Sequence, residues 1–226
     1  MSNLLKSPRR WVRSLQAGTA LALLAMSTAG FPAGGSAGQA AAASAPAPAA
    51  RAASKQGSLT LEGTAEPITV LLFDWASAPL PLGFSTYVPQ DMVVRAPGGG
   101  SSPSVRFVAN FGGVLQERAY LELAVLPPGT TPAQAVSALA RSAPGGMPLK
   151  RCATSNRRYA WAIAGCDIDY RSKSGSRIGG AAVLGRHGDR YFRLTMHYPL
   201  EYGGGFGPRA ELILNEWRWR DTNAGL

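Results

Sequence analysis

One of the two histidines in this 226-residue chain, His197, stands where a ligand could be held. It alternates with Tyr191, Arg193 and Thr195 along a run whose intervening residues, Phe192, Leu194, Met196 and Tyr198, are apolar. Successive side chains of an extended strand point to opposite faces. A phenol, a guanidinium, a hydroxyl and an imidazole therefore share one face. If the small residues Gly179, Ala181 and Val183 lie opposite, the face becomes a candidate shallow pocket for an anionic or neutral small molecule. The competing expectation is that a helix roofs this face, with Arg193 and His197 at its rim.

Other chemistry-bearing residues point to ordinary structure. His187 falls in a His187-Gly188-Asp189 stretch expected as an exposed turn. Asp167 and Asp169 are two apart on one strand face, a spacing that can share a calcium ion. Arg171, Lys173 and Arg177 nearby predict ion pairs instead, so no metal is expected. The chain has no D-x-D-x-D-G loop and no H-E-x-x-H, and no serine has an obvious histidine partner. Its glycine runs at 98–100 and 203–205 lack the lysine and strand–helix context of a phosphate loop and read as flexible turns. No catalytic residue and no cofactor are assigned, and the chain is expected not to be an enzyme. Arg218 and Trp219, in the segment EWRWRD, are interface candidates because Trp and Arg recur at binding hot spots. Trp217 is expected in the core.

Cys152 and Cys166 are the only cysteines. An even count in an oxidising compartment favours a disulfide between them. The compartment is read from the first residues. Arg9, Arg10 and Arg13 precede an apolar run from Leu15 to Ala29, followed by small residues, which is the layout of a secretory signal peptide. Cleavage is expected after Ala29, with Gly38-Gln39-Ala40 as a later option. No cysteine occurs before Cys152, so no lipid anchor is expected at the end of the apolar run. The expected location is periplasmic or secreted.

The net charge of +10 is mostly a property of this leader. Six basic and no acidic residues lie in 1–55, which leaves the rest at +4. That is ordinary for a soluble domain, and a nucleic-acid partner is not expected. Residues 30–56 are rich in Ala, Gly, Ser and Pro and read as a flexible linker. Residues 57–226 are expected to form one domain.

The elements that would position the candidate residues follow from patterning. Val105, Phe107, Ala109 and Phe111 alternate, as do Leu121, Leu123 and Val125, predicting a hairpin broken at Gly112-Gly113. Thr131-Pro132-Ala133-Gln134 is a capping box with proline at the first helical position, opening a helix that stops before Pro144-Gly145-Gly146. Three further strands are expected over about 158–170, 177–185 and 190–198. Matching their apolar faces sets Leu184 opposite Phe192, Ala182 opposite Leu194 and Ile178 opposite Tyr198. Gly203 to Gly205 is expected as a loop. Pro208 then opens a terminal helix whose stripe is Ala210, Ile213, Leu214 and Trp217. Residues 59–88 add two or three strands. The fold class expected is α+β, an antiparallel meander flanked by helices in an α/β/α sandwich.

This order resembles the PsbP-like family of exported domains. The segments that carry the resemblance are GFSTYVPQDM, TTPAQA, YFRLTMHYP and EWRW, over roughly residues 83–219. RFVANFGG, LPPGTT and GRHGDRYFRLTMHYPLEY are also similar to exported proteobacterial proteins of no assigned activity. The resemblance implies a sheet between helices and a non-catalytic accessory role, docking on larger envelope assemblies. The two cysteines and the Ala-rich leader depart from the family's pattern, and no binding residue carries over. Three functions are weighed. The first is a non-enzymatic interaction module with an envelope protein partner. The second is a small-molecule carrier using Tyr191, Arg193, Thr195 and His197. The third is an enzyme whose site the sequence does not reveal.

Overall fold

The fold, a computed structural model, describes residues 50–76, 80–95, 103–141, 146, 149–154 and 158–226. The expected signal peptide and its cleavage sites lie outside these residues. Two antiparallel sheets are described. β1 (Ser54–Leu61), β2 (Thr64–Trp75) and β3 (Phe84–Pro89) form a meander. The last strand, β11 (Arg218–Trp219), completes it in the order β1-β2-β3-β11. The second sheet contains β4 (Met92–Arg95), β5 (Ser104–Phe111), β6 (Val114–Val125), β7 (Lys150–Ala153), β8 (Ala164–Arg171), β9 (Arg177–His187) and β10 (Arg190–Pro199). Its order is β4-β5-β6-β10-β9-β8-β7. One sheet curls into a half-barrel.

This corrects the expected α/β/α sandwich. The protein is mostly β, and among the described residues it has two α-helices, α1 (Pro132–Ala140) and α2 (Gly203–Asn215). The physical reason lies in what covers the inner face of the seven-stranded sheet. Val105, Phe107, Leu121, Leu123, Phe192 and Leu194 project from it into one core. They meet Phe84 and Val88 of β3, Trp219 of β11, Trp217, and Phe206, Ala210 and Ile213 of α2. A second sheet and one helix share that face, so no helical layer forms there. Phe84 and Trp217 stack at 3.9 Å between ring centroids at the centre of this core.

Local chemistry explains the elements. Glu62 and Gly63 both have positive φ, 50° and 86°, which is the two-residue type I′ turn that matches strand twist. The α1 capping box forms as expected, the Gln134 amide donating to the Thr131 hydroxyl and the Thr131 amide to the Gln134 side chain. Ala135 and Leu139 bury α1 against Ala164, Cys166, Ala182, Leu184 and Tyr191. That is the opposite face of the seven-stranded sheet, and α1 covers only one end of it. Cys152 and Cys166 are joined as a disulfide, tying edge strand β7 to β8.

Four expectations shift. β1 begins at Ser54, inside the stretch expected as linker, and Arg51 and Lys55 both pair with Glu216. The first of the three predicted C-terminal strands starts at Ala164 rather than near 158. α2 starts at Gly203, because the glycine run continues a 3-10 turn at Leu200–Tyr202 instead of forming a loop. The β9–β10 turn holds two residues, Gly188 and Asp189, so His187 pairs with Arg190 and not in a three-residue loop. The register therefore slips by one: Leu184 faces Arg193, Ala182 faces Thr195 and Gly180 faces His197.

Candidate functional site

That register decides what surrounds the four candidate residues. On the outer face β10 presents Tyr191, Arg193, Thr195 and His197. β9 contributes Leu184, Ala182 and Gly180, and β6 contributes Ala124, Glu122 and Tyr120 opposite Arg193, Thr195 and His197. The small residues expected opposite, Gly179, Ala181 and Val183, instead pair with Tyr198, Met196 and Leu194 on the inner face, which corrects the basis of the expected pocket. α1 roofs Tyr191, which is 7% exposed. Beyond the helix the face carries a polar cluster rather than a patch of small residues.

Glu122 is the hub. Its carboxylate accepts from Arg106 Nε at 2.9 Å, and Arg193 lies 3.9 Å from its other oxygen. Arg193 Nε donates to Thr195 Oγ1 at 3.2 Å. The Arg106 guanidinium also sits over the Tyr120 ring, 4.5 Å from its centroid. Burial pushes the Tyr120 phenol up to about 12, against the pull of Arg106. It also lowers the Arg193 guanidinium from its usual value, while Glu122 opposes that shift. Arg106 is also desolvated, but the charge and hydrogen bond of Glu122 outweigh this and raise it.

His197 is held from both sides. The β5–β6 register breaks at Val108/Ala109: Val108 faces Tyr120 and Ala109 faces Gln116. Glu117, Arg118 and Ala119 thus have no β5 partner, an irregularity of the bulge type. The Arg118 carbonyl lies 2.7 Å from His197 Nδ1. A carbonyl only accepts, so Nδ1 carries the proton. In the neutral ring Nε2 then accepts from the Tyr170 hydroxyl at 2.9 Å. Tyr170 reaches from β8 past β9, where Gly180 presents no side chain. The imidazole stacks on Tyr120 with centroids 4.9 Å apart. Burial lowers its pKa below the ordinary 6.5, more strongly than the Arg118 carbonyl raises it. His197 is a neutral clasp across β6, β10 and β8.

The remaining expectations are placed as follows. Asp169 pairs with Arg177 at 3.3 Å and Asp167 with Arg151 at 2.8 Å. The bond from Arg177 holds Asp169 below the usual carboxylate range. Among the described residues no group of three His, Cys, Asp or Glu could hold a metal. Trp219, an interface candidate, is corrected to a core residue. It is 3% exposed, packed on Phe192 and Trp217, because β11 turns its ring under the seven-stranded sheet. Arg218 is half-buried and donates to the Trp217 carbonyl at 2.6 Å.

Sequence reasoning missed a second constellation. His187 is not an exposed turn residue but stacks on Trp219, centroids 4.3 Å apart. Its Nε2 lies 2.8 and 2.9 Å from the two carboxylate oxygens of Asp221. This bond holds Asp221 below the usual carboxylate range. The pair lines a cleft of about 350 Å³ with Gly83, Leu82 and Arg220. Asp221 is 34 residues from His187, and only the β11–β3 pairing brings it there. No sequence spacing announces it.

No family model matches this chain, and no curated protein does. Among solved structures it is similar to a crystal structure of a protein from Bacteroides thetaiotaomicron VPI-5482. The identity is 14% and the TM-score 0.37, over 62% of this chain. This chain spans 46% of that protein's length.

Proposed function

We propose that this chain is an exported interaction or accessory module of the cell envelope, acting by binding a protein partner. The observation that carries this reading is the state of the outer-face cluster. Both ring nitrogens of His197, the carboxylate of Glu122 and Nε of Arg193 are engaged by the fold's own groups. These residues act as stitching, and Arg106, with its side chain 46% exposed, presents their charge at the surface. The signal-like leader and the disulfide support export, and the PsbP-like order of motifs supports an accessory role.

The test is in-cell crosslinking of the tagged chain in its host, with fractionation and mass spectrometry. One stoichiometric envelope partner is expected, with the protein in the periplasmic or secreted fraction. Recovery from the cytoplasm, or no partner above background, overturns the reading.

A second reading, an enzyme, rests on His187 and Asp221. A base oriented by a carboxylate beside a cleft is the arrangement of general-base catalysis. It predicts that turnover of some chromogenic ester, amide or phosphate is lost in both His187→Gln and Asp221→Asn. Turnover that survives both changes removes this reading.

A further inference from the structure

Of the four sheet edges among the described residues, three are blunted. β11 has two residues, and β4 has four and ends in Arg95, which is ion-paired to Glu117. β7 has four, carries Lys150 and Arg151, and is closed by the disulfide. Short strands, edge charges and covers are how proteins keep foreign strands from pairing. β1 differs. It has eight residues in unbroken register with β2, and from Gln56 to Leu61 it has no charge, no proline and no bulge.

The direction of its free backbone groups follows from the turn. In a two-residue hairpin the flanking residues exchange hydrogen bonds, here Leu61 and Thr64. Leu59, Gly57 and Lys55 then pair inward with β2. The N–H and C=O groups of Gln56, Ser58 and Thr60 point outward, and all three residues are exposed. The bond from the Leu72 amide to the Ala53 carbonyl, 2.8 Å, obeys the same parity.

A groove runs beside this edge. Its first part, about 520 Å³, is lined by six consecutive residues, Lys55 to Thr60, facing Pro208, Leu212 and Glu216 of α2 and its C-cap. A depression over a sheet face touches every second residue, so one lined by consecutive residues follows the strand's edge. Past the Leu61 end of this groove a second depression of about 590 Å³ is lined by Leu61, Glu62, Thr64 and Glu66 of the β1–β2 hairpin and by Glu201, Gly204 and Gly205. Six residues of strand make the groove along β1 about 20 Å long. Its far end carries Glu62, Glu66 and Glu201, all exposed and without an ion pair among the described residues. At the near end Arg51 and Lys55 share the single carboxylate of Glu216, so that end keeps a net charge of +1 against the three carboxylates.

We propose that the edge of β1 and the flank of α2 form a docking groove for an extended peptide segment of the partner protein. The segment adds to β1 as a fifth, antiparallel strand and carries basic residues at its N-terminal end. Backbone pairing provides affinity, as in other strand additions. The three carboxylates fix direction, since an antiparallel strand starts at the Leu61 end. This inference rests on the interaction-module reading and names its surface.

The test uses the purified chain and a fluorescein-labelled nonapeptide of two lysines followed by alternating threonine and valine. A counterpart carries glutamates in place of the lysines. Polarisation titration should show the lysine peptide binding at least tenfold tighter. Amide exchange at Ser58 and Thr60 should slow when it binds. Ser58→Pro removes an outward N–H at a position where edge strands tolerate proline, and Thr60→Lys adds an edge charge. Each should weaken binding at least tenfold, with circular dichroism confirming the fold. The triple change of Glu62, Glu66 and Glu201 to lysine should reverse the charge preference. Equal binding to Ser58→Pro, Thr60→Lys and wild type, no binding of either peptide, or self-pairing of β1 seen as a dimer by ultracentrifugation overturns the groove. If crosslinking still captures the partner with Ser58→Pro and Thr60→Lys, the groove falls and the module reading stands. If nothing is captured by wild type, the broader reading falls.

Discussion

Gly180 is the position where one methyl group should do the most damage to the outer-face cluster. Its φ is +142°, a conformation that L side chains rarely adopt. A Cβ built there would lie 2.0 Å from the Met196 carbonyl oxygen and 2.8 Å from its carbon, both backbone atoms. Neither can rotate away, so β9 and β10 must separate by about 1 Å to restore contact distance. Strain at such a φ costs about 1–3 kcal/mol, and each ladder hydrogen bond loosened costs about 1 kcal/mol more. Gly180→Ala should therefore lose about 3–5 kcal/mol, which for a domain of this size is roughly 6–20 °C in melting temperature. Gly179→Ala is the internal control. Its Cβ would meet Leu200 Cδ2 at 2.4 Å, but Leu200 is 43% exposed and can turn aside. That change should cost within about 1 kcal/mol. Thermal and urea denaturation followed by circular dichroism compare the two. If the two variants melt within about 2 °C of each other, the backbone geometry assigned to Gly180 is wrong. The clasp built across it by Tyr170 and His197 then loses its rationale.

Three further outcomes are expected. Because burial keeps the His197 pKa below 6.5 in the fold, the unfolded chain takes up a proton that the folded chain refuses. Stability is thus complete above pH 6.5 and falls as the solution is acidified through that value toward the folded pKa. His197→Gln should flatten this limb in melting curves between pH 8 and 5, and an unchanged slope would exclude a buried neutral imidazole. Serine at both Cys152 and Cys166 opens a loop of about 15 residues, a loss of about 3 kcal/mol in the chain-entropy model, read from urea midpoints under non-reducing conditions. Glu122→Leu leaves Arg193 without its carboxylate and should cost about 3–5 kcal/mol. Changing Arg106 and Arg193 to Leu and Met in the same chain should recover most of it, and a simple sum of losses would show that the three groups are not coupled.

Legibility of the sequence differed by element. The β5–β6 hairpin and the α1 capping box were readable because each has one buried face and a specific local signal. The β9 register was not. Residues 178–184 read Ile-Gly-Gly-Ala-Ala-Val-Leu, apolar or small on both faces, so alternation carries no information about which face is inside. That single step turned Leu184 and Ala182 toward Arg193 and Thr195. β1 was hidden because SKQGSLTL is polar at most positions, as an edge strand with one wet face must be. The helix turn at Gly203 was hidden by three residues that individually disfavour helices. His197 and Arg193 were legible as a pair. Glu122, Tyr120 and Tyr170 were not, since only the strand order β6-β10-β9-β8 assembles them.

The seam that closes the domain joins its first residues to its last. Arg51 pairs with Glu216, Trp219 pairs with Phe84 across β3, and Trp217 fills the centre of the main core. While the chain is being synthesised, β1 to β10 can be complete and still lack both tryptophans. The three N-terminal strands then have no wall against which to close. Contacts of such long sequence separation slow folding, because loop-closure entropy is lost before they form. The main core therefore closes only with the segment that carries Trp217 and Trp219 in place.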